Sequence, residues 1–463
     1  MAAMKRGNNA LEISPVMHGL ATYISRALRT PLPVAVVEKT KHHLLDTLAA
    51  MVSGSRLLPG RMAISYVKSL AGSREATVVG SSLVTSAINA ALANGMLAHA
   101  DETDDSHPRS CVHPGCGIVA AALAMAESKQ RSGTELLRAV ALGYDVGPRL
   151  TMSLNAREFR ADGHSTQSFG PMFGAAAAAG ALCGLNYDRI RHLLSYTAQQ
   201  ASGLSCWMRD KDHIEKAFDF GGMPARNGVT AATMVAHGFT AVEDVFAGER
   251  NFFVAYGRAP NPNELVRDLG STYEIMNTNI KPWSVGYPIQ STLDSLFELI
   301  RAHNLKPDQV EHLLVKVSHY GANTIDNRSM PDICIQHLCA IMLLDGTVTF
   351  QSSHDIKRMR DRKVLALRRR IELRGDDELE RALPAAYQAI VEIRLKDGRQ
   401  LRHHAKSVRG TQDNPMTRAD IDAKCYDLCA PVLGRRRARA LCDTAWNLEK
   451  LKDARKLRRL LRA

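Results

Sequence analysis

Residues 88–126 read INAALANGMLAHADETDDSHPRSCVHPGCGIVAAALAMA. Two apolar runs with helical spacing flank the segment 98–115, which crowds His99, Asp101, Glu102, Asp104, Asp105, Ser106, His107 and His113 into a few turns and a loop. A solvated acidic helix end is the plain alternative, but such a surface seldom sits between two apolar helices. Pro108, Pro114 and Gly115 break the second half of the segment into a loop, which can turn His113 back toward the carboxylates. The stretch therefore predicts helical packing around a group of ionisable side chains suited to proton transfer.

The same helical texture extends over the first 270 residues, at 35–53, 83–99 and 116–128. GPMFGAAAAAGALCG, residues 170–184, is built mostly of small side chains that let helices approach closely, and it suits a buried central helix. After about residue 275 the pattern changes: 312–318, 370–375 and 389–408 alternate as strands do, and Asp397-Gly398 is a hairpin turn signal. Helical patterns at 288–303 and 333–344 lie between them, so this region reads as α+β. From Thr417, a plausible N-cap with Asp420 three residues on, the chain returns to helix. At 463 residues it exceeds a single core, since cores stop growing near roughly 250–300 residues.

Charged residues make up 23% and hydrophobic residues 45%, an ordinary globular balance that excludes disorder as the default. No window reaches the roughly 18 apolar residues of a membrane span, and the N-terminus lacks an apolar signal core. Nine scattered cysteines, odd in number, argue for a reducing cytoplasm rather than a disulfide framework. Cys425 with Cys429, and Cys111 with Cys116 around His113, raise a metal site, but neither pair has zinc-module spacing, and the expectation is no metal. The net charge of +13 is concentrated in residues 435–463, with a second basic run at 357–370. Nucleic acid could bind such a tail, but no groove-reading motif or interleaved aromatics accompany it, and solvated helix faces are the favoured reading.

Three further segments carry candidate residues. DKDHIEKAFDFGGMPARNG, 210–228, offers Lys216 before a Gly-rich turn and a helix expected to begin near Pro224, whose N-terminus would suit an anion. NIKPWSVGYPIQSTLDSL, 279–296, puts Lys281 where the composition shifts. GHSTQSFG, 163–170, places His164 in a polar loop. Each taken alone is by default an ordinary surface residue.

Together the motifs resemble the MmgE/PrpD family of 2-methylcitrate dehydratase, cis-aconitate decarboxylase and iminodisuccinate epimerase. The resemblance runs through LLDTLAAMVSG near 44, INAALANGMLAHADETDDSH followed by VHPG, GYDVGPRL, HSTQSFGPMFGAAAAAG, IKPW, LLDG and RGTQDNPMTRADIDAKCYDLCAPVLG, in family order and spacing. It implies a mainly α fold: a large all-helical domain, 1–272 with 416–463, and an α+β lid domain, 273–415, inserted before the C-terminal helices. It also implies a homodimer and a site between helical domain and lid that uses no metal or organic cofactor. Carried over by position, His113 and His164 are acid–base groups and Lys216 and Lys281 hold substrate carboxylates. Glu102 or Asp101 falls on the acidic position of the HALDFDD-like motif, and Ser106 falls on its threonine. Two departures stand out: Asp219 or Phe220 replaces a family histidine, and Val285 and Gly286 occupy the place where a decarboxylase branch has one more.

The resulting expectation is a cytoplasmic lyase that dehydrates a small hydroxy-polycarboxylate. His113 and His164 would move protons while Glu102 or Asp105 orients an imidazole. Epimerisation of a dicarboxylate or amino-dicarboxylate is the alternative, and a non-catalytic protein using the basic tail on nucleic acid is the rival from another class.

Overall fold

The structure, a computed structural model, describes residues 13–383 and 386–463. It is mainly α, with a helical unit and a small α+β unit inserted ahead of the C-terminal helices. The helix Thr166–Leu182 is buried along its whole length and is surrounded by Gly133–Ser153, Pro114–Ser128 and Met223–Ala236. Small side chains make this possible. Gly143 and Gly174 face each other so closely that a Cβ on either would meet the other's carbonyl oxygen. The helix expected over 83–99 begins instead at Ala87: Val84–Thr85 (β2) pairs antiparallel with Ala76–Thr77 (β1), and Ser86 caps the helix through Asn89 N–H.

Two apolar cores form. The first runs from Met17 to Ile280 and resumes from Met416 to Leu461; the second spans Trp283 to Leu401. Tyr273, Ile275 and Ile280 thus pack with the first core, a few residues beyond the expected break at 272. In the second unit Val310–Val317 (β3) pairs parallel with Ile371–Gly375 (β4) and antiparallel with Ala389–Leu395 (β5), which continues through the hairpin to Gln400–Ala405 (β6). The sheet order is β4-β3-β5-β6. Gly398, at φ 86°, makes the hairpin turn that Asp397-Gly398 signalled. Helix Tyr287–His303 covers β5 and β6, and Ile335–Asp345 packs beside it. Thr417 caps Arg418–Leu433 with the reciprocal Asp420 bond read from sequence.

The basic C-terminal stretch is integral to the first core. Leu441, Leu448, Leu457 and Leu461 are fully buried, and Gly80 N–H donates to Leu461 O at 2.8 Å. Arg458 donates to Glu127 at 2.6 Å, while Glu127 also accepts Thr77 N–H at 2.9 Å. Burial pushes the Glu127 carboxyl up, and Arg458 and Thr77 offset some of that rise. Cys425 and Cys429 lie 3.8 Å apart in the same core, and all nine cysteines are free thiols.

Replacing Arg458 by Met would strand the Glu127 carboxylate. Because Arg458 is 25% exposed, the expected loss in urea denaturation is about 2 kcal/mol, below the roughly 3–5 kcal/mol of a fully buried pair. An unchanged midpoint and slope would show that the pair contributes nothing.

Candidate active site

Helix Ala87–Ala98 stops at His99 because the next residues must turn their charges inward rather than continue a helix. Asp101, Asp104 and Asp105 are buried, and Glu102 is 13% exposed at its side chain. Each acid has its own partners. Glu102 meets Lys216, whose ammonium also lies 5.2 Å above the Phe220 ring, and Lys281 lies 3.9 Å away. Lys281, itself buried, donates to the Glu102 backbone oxygen at 2.8 Å and approaches Asp104 at 3.7 Å. Burial opposes the Glu102 charge, but Lys216 and then Lys281 outweigh it and hold the carboxyl well below the usual range.

Asp104 is shared by two imidazoles. His99 Nδ1 lies 2.9 Å from one oxygen and His113 Nδ1 lies 3.1 Å from the other. An ionised carboxylate only accepts, so this geometry places a proton on Nδ1 of each ring. Burial above all, with help from the nearby Lys281, pulls His113 below its ordinary pKa, against the opposing effect of Asp104. That shift favours the uncharged His113 ring, which keeps 14% side-chain exposure where His99 has none. Ligand-type atoms of His99, Asp104 and His113 fall within 4.8 Å of one another, close enough to hold a metal ion.

Local backbone brings the remaining groups together. The sequence FDFGG folds as a single π-helical turn, Phe218–Gly222, continuous with Ile214–Ala217 before it and Met223–Ala236 after it. The helix N-terminus expected near Pro224 is therefore not a free anion site, because its N–H groups follow preceding helical turns. The turn lies directly on the Ala87–Ala98 helix: a Cβ at Gly95 or Gly221 would collide with the other's carbonyl oxygen. That contact places Phe220 flat on His99, centroids 4.2 Å apart, and Lys216 beside Glu102. Asp219, on the opposite side of the turn, accepts from the Ser165 hydroxyl, and burial pushes its carboxyl up to about 7.

Of the residues expected from sequence, His113, Glu102, Lys216 and Lys281 meet in this cluster, and Asp101 borders it. Asp105 does not join them. Its carboxylate accepts from His43 Nδ1 at 2.7 Å, Tyr144 OH at 2.7 Å and Gly115 N–H at 3.0 Å, so it ties the loop to helices beneath. The imidazole-orienting role expected of Glu102 or Asp105 belongs geometrically to Asp104. His164 also stays outside the network: its ring stacks on Phe159 at 4.4 Å, and its backbone oxygen accepts from Ser205. Ser106 is bridged to Asn279 through backbone bonds of 3.0 and 2.8 Å, and its hydroxyl oxygen is buried without a partner. Cys116, one of the pair around His113, donates to the His113 and Phe220 carbonyls.

Sequence reasoning missed His213, His354 and Asp332. His213, in the left-handed region at φ 61°, stands 4.0 Å from Glu102, and burial presses it down to about 3. His354 comes from the second unit and lies 3.0 Å from Asp101, whose carboxylate also accepts from Thr103 N–H and hydroxyl. Burial alone would lower His354, but the bond to Asp101, with Asp332 nearby, raises it to about 9. Nothing in the local sequence marked His354, which is remote in the chain from its partner.

Residues 18–265 match the MmgE/PrpD N-terminal domain and residues 283–450 the MmgE/PrpD C-terminal domain. The chain belongs to the MmgE/PrpD family. It is 23% identical over 486 aligned positions to a cis-aconitate decarboxylase of Aspergillus terreus, covering 97% of this chain and 96% of that one. It is 24% identical over 448 positions to the cis-aconitate decarboxylase of Homo sapiens, covering 92% and 90%. A cis-aconitate decarboxylase-like protein oryM of Aspergillus oryzae is 27% identical, with the match spanning 57% of each chain. In this MmgE/PrpD chain the cluster lies at the junction of the two matched domains, with Lys281 just before the second.

The Asp101–His354 pair predicts a pH signature. A folded pKa of about 9 against an ordinary 6.5 means that the imidazolium's stabilisation is fully present below pH 6.5 and is lost as pH rises through about 9. Asp101, held below its ordinary value, stays ionised throughout. Thermal melts of wild type and His354→Gln should differ by about 2–3 kcal/mol near pH 6 and converge above pH 9; a constant gap across that range would refute the pairing.

Proposed function

We propose that this MmgE/PrpD protein is a cytoplasmic, cofactor-independent lyase that dehydrates a small hydroxy-polycarboxylate by removing the proton next to a carboxylate. The observation that carries the reading is the Asp104–His113 pair set beside Lys216 and Lys281. A carbon-bound proton adjacent to a carboxylate is weakly acidic, so its removal needs a base together with cations where negative charge accumulates. His113 Nε2 is the base, and Asp104 keeps the ring in the tautomer that exposes it. The two lysines, now facing the Glu102 carboxylate, are the groups that would receive substrate carboxylates. Lys216 also carries a proton that can go to the departing hydroxyl, so proton removal and C–O cleavage balance as loss of water.

The names of the relatives support a substrate rich in carboxylates. Decarboxylation itself makes a different demand, because the carbon that loses carbon dioxide must be protonated, and a His113 held neutral is better suited to taking a proton than to giving one. The same base with a return of the proton to the opposite face would epimerise a dicarboxylate or amino-dicarboxylate. Closure of the second unit as a lid would strengthen these charge interactions by excluding water. We take the protein to act as a homodimer, which analytical ultracentrifugation would check.

Proton NMR in deuterated water with citrate-like, malate-like and aspartate-like acids tests the proposal. Alkene formation with wild type, reduced roughly 10²–10⁴-fold in His113→Ala, is the expected result. Deuterium wash-in without alkene would move the assignment to epimerisation. Release of carbon dioxide without exchange would overturn base catalysis by His113. His164→Ala belongs in the same series: lost turnover in a folded variant would extend the site to that ring, and retained turnover would confine it to the cluster.

A further inference from the structure

A concavity lies at the same junction and shares no lining residue with the His113 cluster. It encloses about 560 Å3, within the roughly 300–1,000 Å3 of small-ligand sites. Arg109 and Arg157 enter it from the helical unit and Lys406 from the segment following β6. Among the described residues, none of these three side chains has a hydrogen bond or an ion pair, although most other cations near the junction do. Arg149, for example, is bonded to Asp145 at 3.0 Å, and Arg409 lies 3.8 Å from Asp294. Asp413 is the one acid on the wall. His107 also borders the space, but its ring is occupied by Ser110 at 2.7 Å and Glu274 at 3.2 Å.

Three unpaired cations in one concave space repel one another and focus a positive potential there. A surface that only needed solubility would place them apart. The neutral lining adds directional groups: Asn279 Nδ2 donates to Tyr287 OH at 2.9 Å, which leaves that hydroxyl's own proton to be donated to another acceptor. The Tyr287 ring meets Tyr387 edge-on at 4.7 Å, giving the cavity an aromatic wall. Guanidinium forks and a phenol recognise planar or tetrahedral oxyanions, and a lysine adds a point charge.

We propose that this cavity is a second ligand site, which binds a small polyanion bearing carboxylate or phosphate groups and bridges the helical unit to the α+β unit. The bridge passes over a sensitive point. Asn279 is backbone-paired with Ser106, two residues from Asp104, and lies two residues before Lys281, so an anion held here bears on the segment that carries both groups. The site itself rests on the geometry of the cavity and not on the proposed dehydration.

The test is calorimetric titration of citrate and of inorganic pyrophosphate into the full chain at low salt. Saturable binding is expected, weakened at least about tenfold by Arg109→Ser with Arg157→Ser, weakened also by Lys406→Ser from the other unit, and retained in Lys216→Met. Citrate alone binding would make the ligand a polycarboxylate, pyrophosphate alone a phosphate, and both a site that reads charge. The Arg109, Arg157 and Lys406 substitutions are at exposed positions, and unchanged thermal melts would confirm that all the variants fold. Binding that survives the double substitution, or no saturable heat from either anion, would overturn the proposal. Binding lost only in Lys216→Met would assign the anion to the His113 cluster and remove the second site.

Discussion

Asp101, Glu102 and Asp104 sit within four residues of one another, almost wholly out of water, and all three are held in the charged form. An isolated buried carboxylate costs several kcal/mol or neutralises itself. Here each finds a cation or a proton donor, and the donors arrive from separate regions of the chain: Lys216, Lys281, His354, and the two imidazoles of His99 and His113. A sixth group, Lys424 of the C-terminal helices, holds Thr103 O at 3.0 Å and pairs with buried Asp46 at 2.5 Å. Much of the surrounding structure can be understood as what is needed to deliver these groups to one short loop.

Delivery depends on close packing of backbone on backbone. The Gly95–Gly221 contact sets the π-turn against the helix that ends at His99, and so fixes Phe220 and Lys216 over the acidic loop. A larger residue at either position would move the turn away by more than a hydrogen bond tolerates. The small-residue helix Thr166–Leu182 serves the same purpose in the layer below, where Gly143 and Gly174 let the central helices meet. Beneath the loop, Asp105 joins His43, Tyr144 and Gly115, anchoring it to two helices and to the turn that carries His113. The acid nearest in sequence to the cluster therefore supports it from below without entering it.

The α+β unit contributes at two points. Asn279 to Lys281 enters beside Ser106 and Glu102 as the chain leaves the first core, and His354 returns from the far side of the second unit to Asp101. The cluster is consequently complete only when both units are in place. The unpaired cations of the neighbouring cavity straddle the same junction, so electrostatics at this boundary bear on both spaces. The C-terminal stretch, by contrast, buries its leucines in the first core and pairs Arg458 with Glu127, while Arg435, Arg436, Arg439, Lys450, Lys452, Lys456, Arg459 and Arg462 face solvent.

The sequence by itself determined the helical character of the first 270 residues, the return to helix at Thr417, the alternating strands with their Asp397-Gly398 turn, and the crowding of acids around 101–105. These are local properties: residue period, capping chemistry and turn conformation act over a few positions, and the family motifs add an ordered spacing. It also brought forward His113 and Glu102 from a crowd of ionisable side chains beside a break in helical pattern, whereas Lys216 and Lys281, each alone an ordinary surface charge, came forward only through the family resemblance. Which acid orients His113 was decided only in three dimensions, since Asp104 and Asp105 are adjacent in sequence and point to opposite partners. The same holds for His354, 253 residues from Asp101, and for His164, whose ring packs on Phe159. Side-chain direction and long-range pairing depend on how helices pack against one another, and no local pattern encodes that.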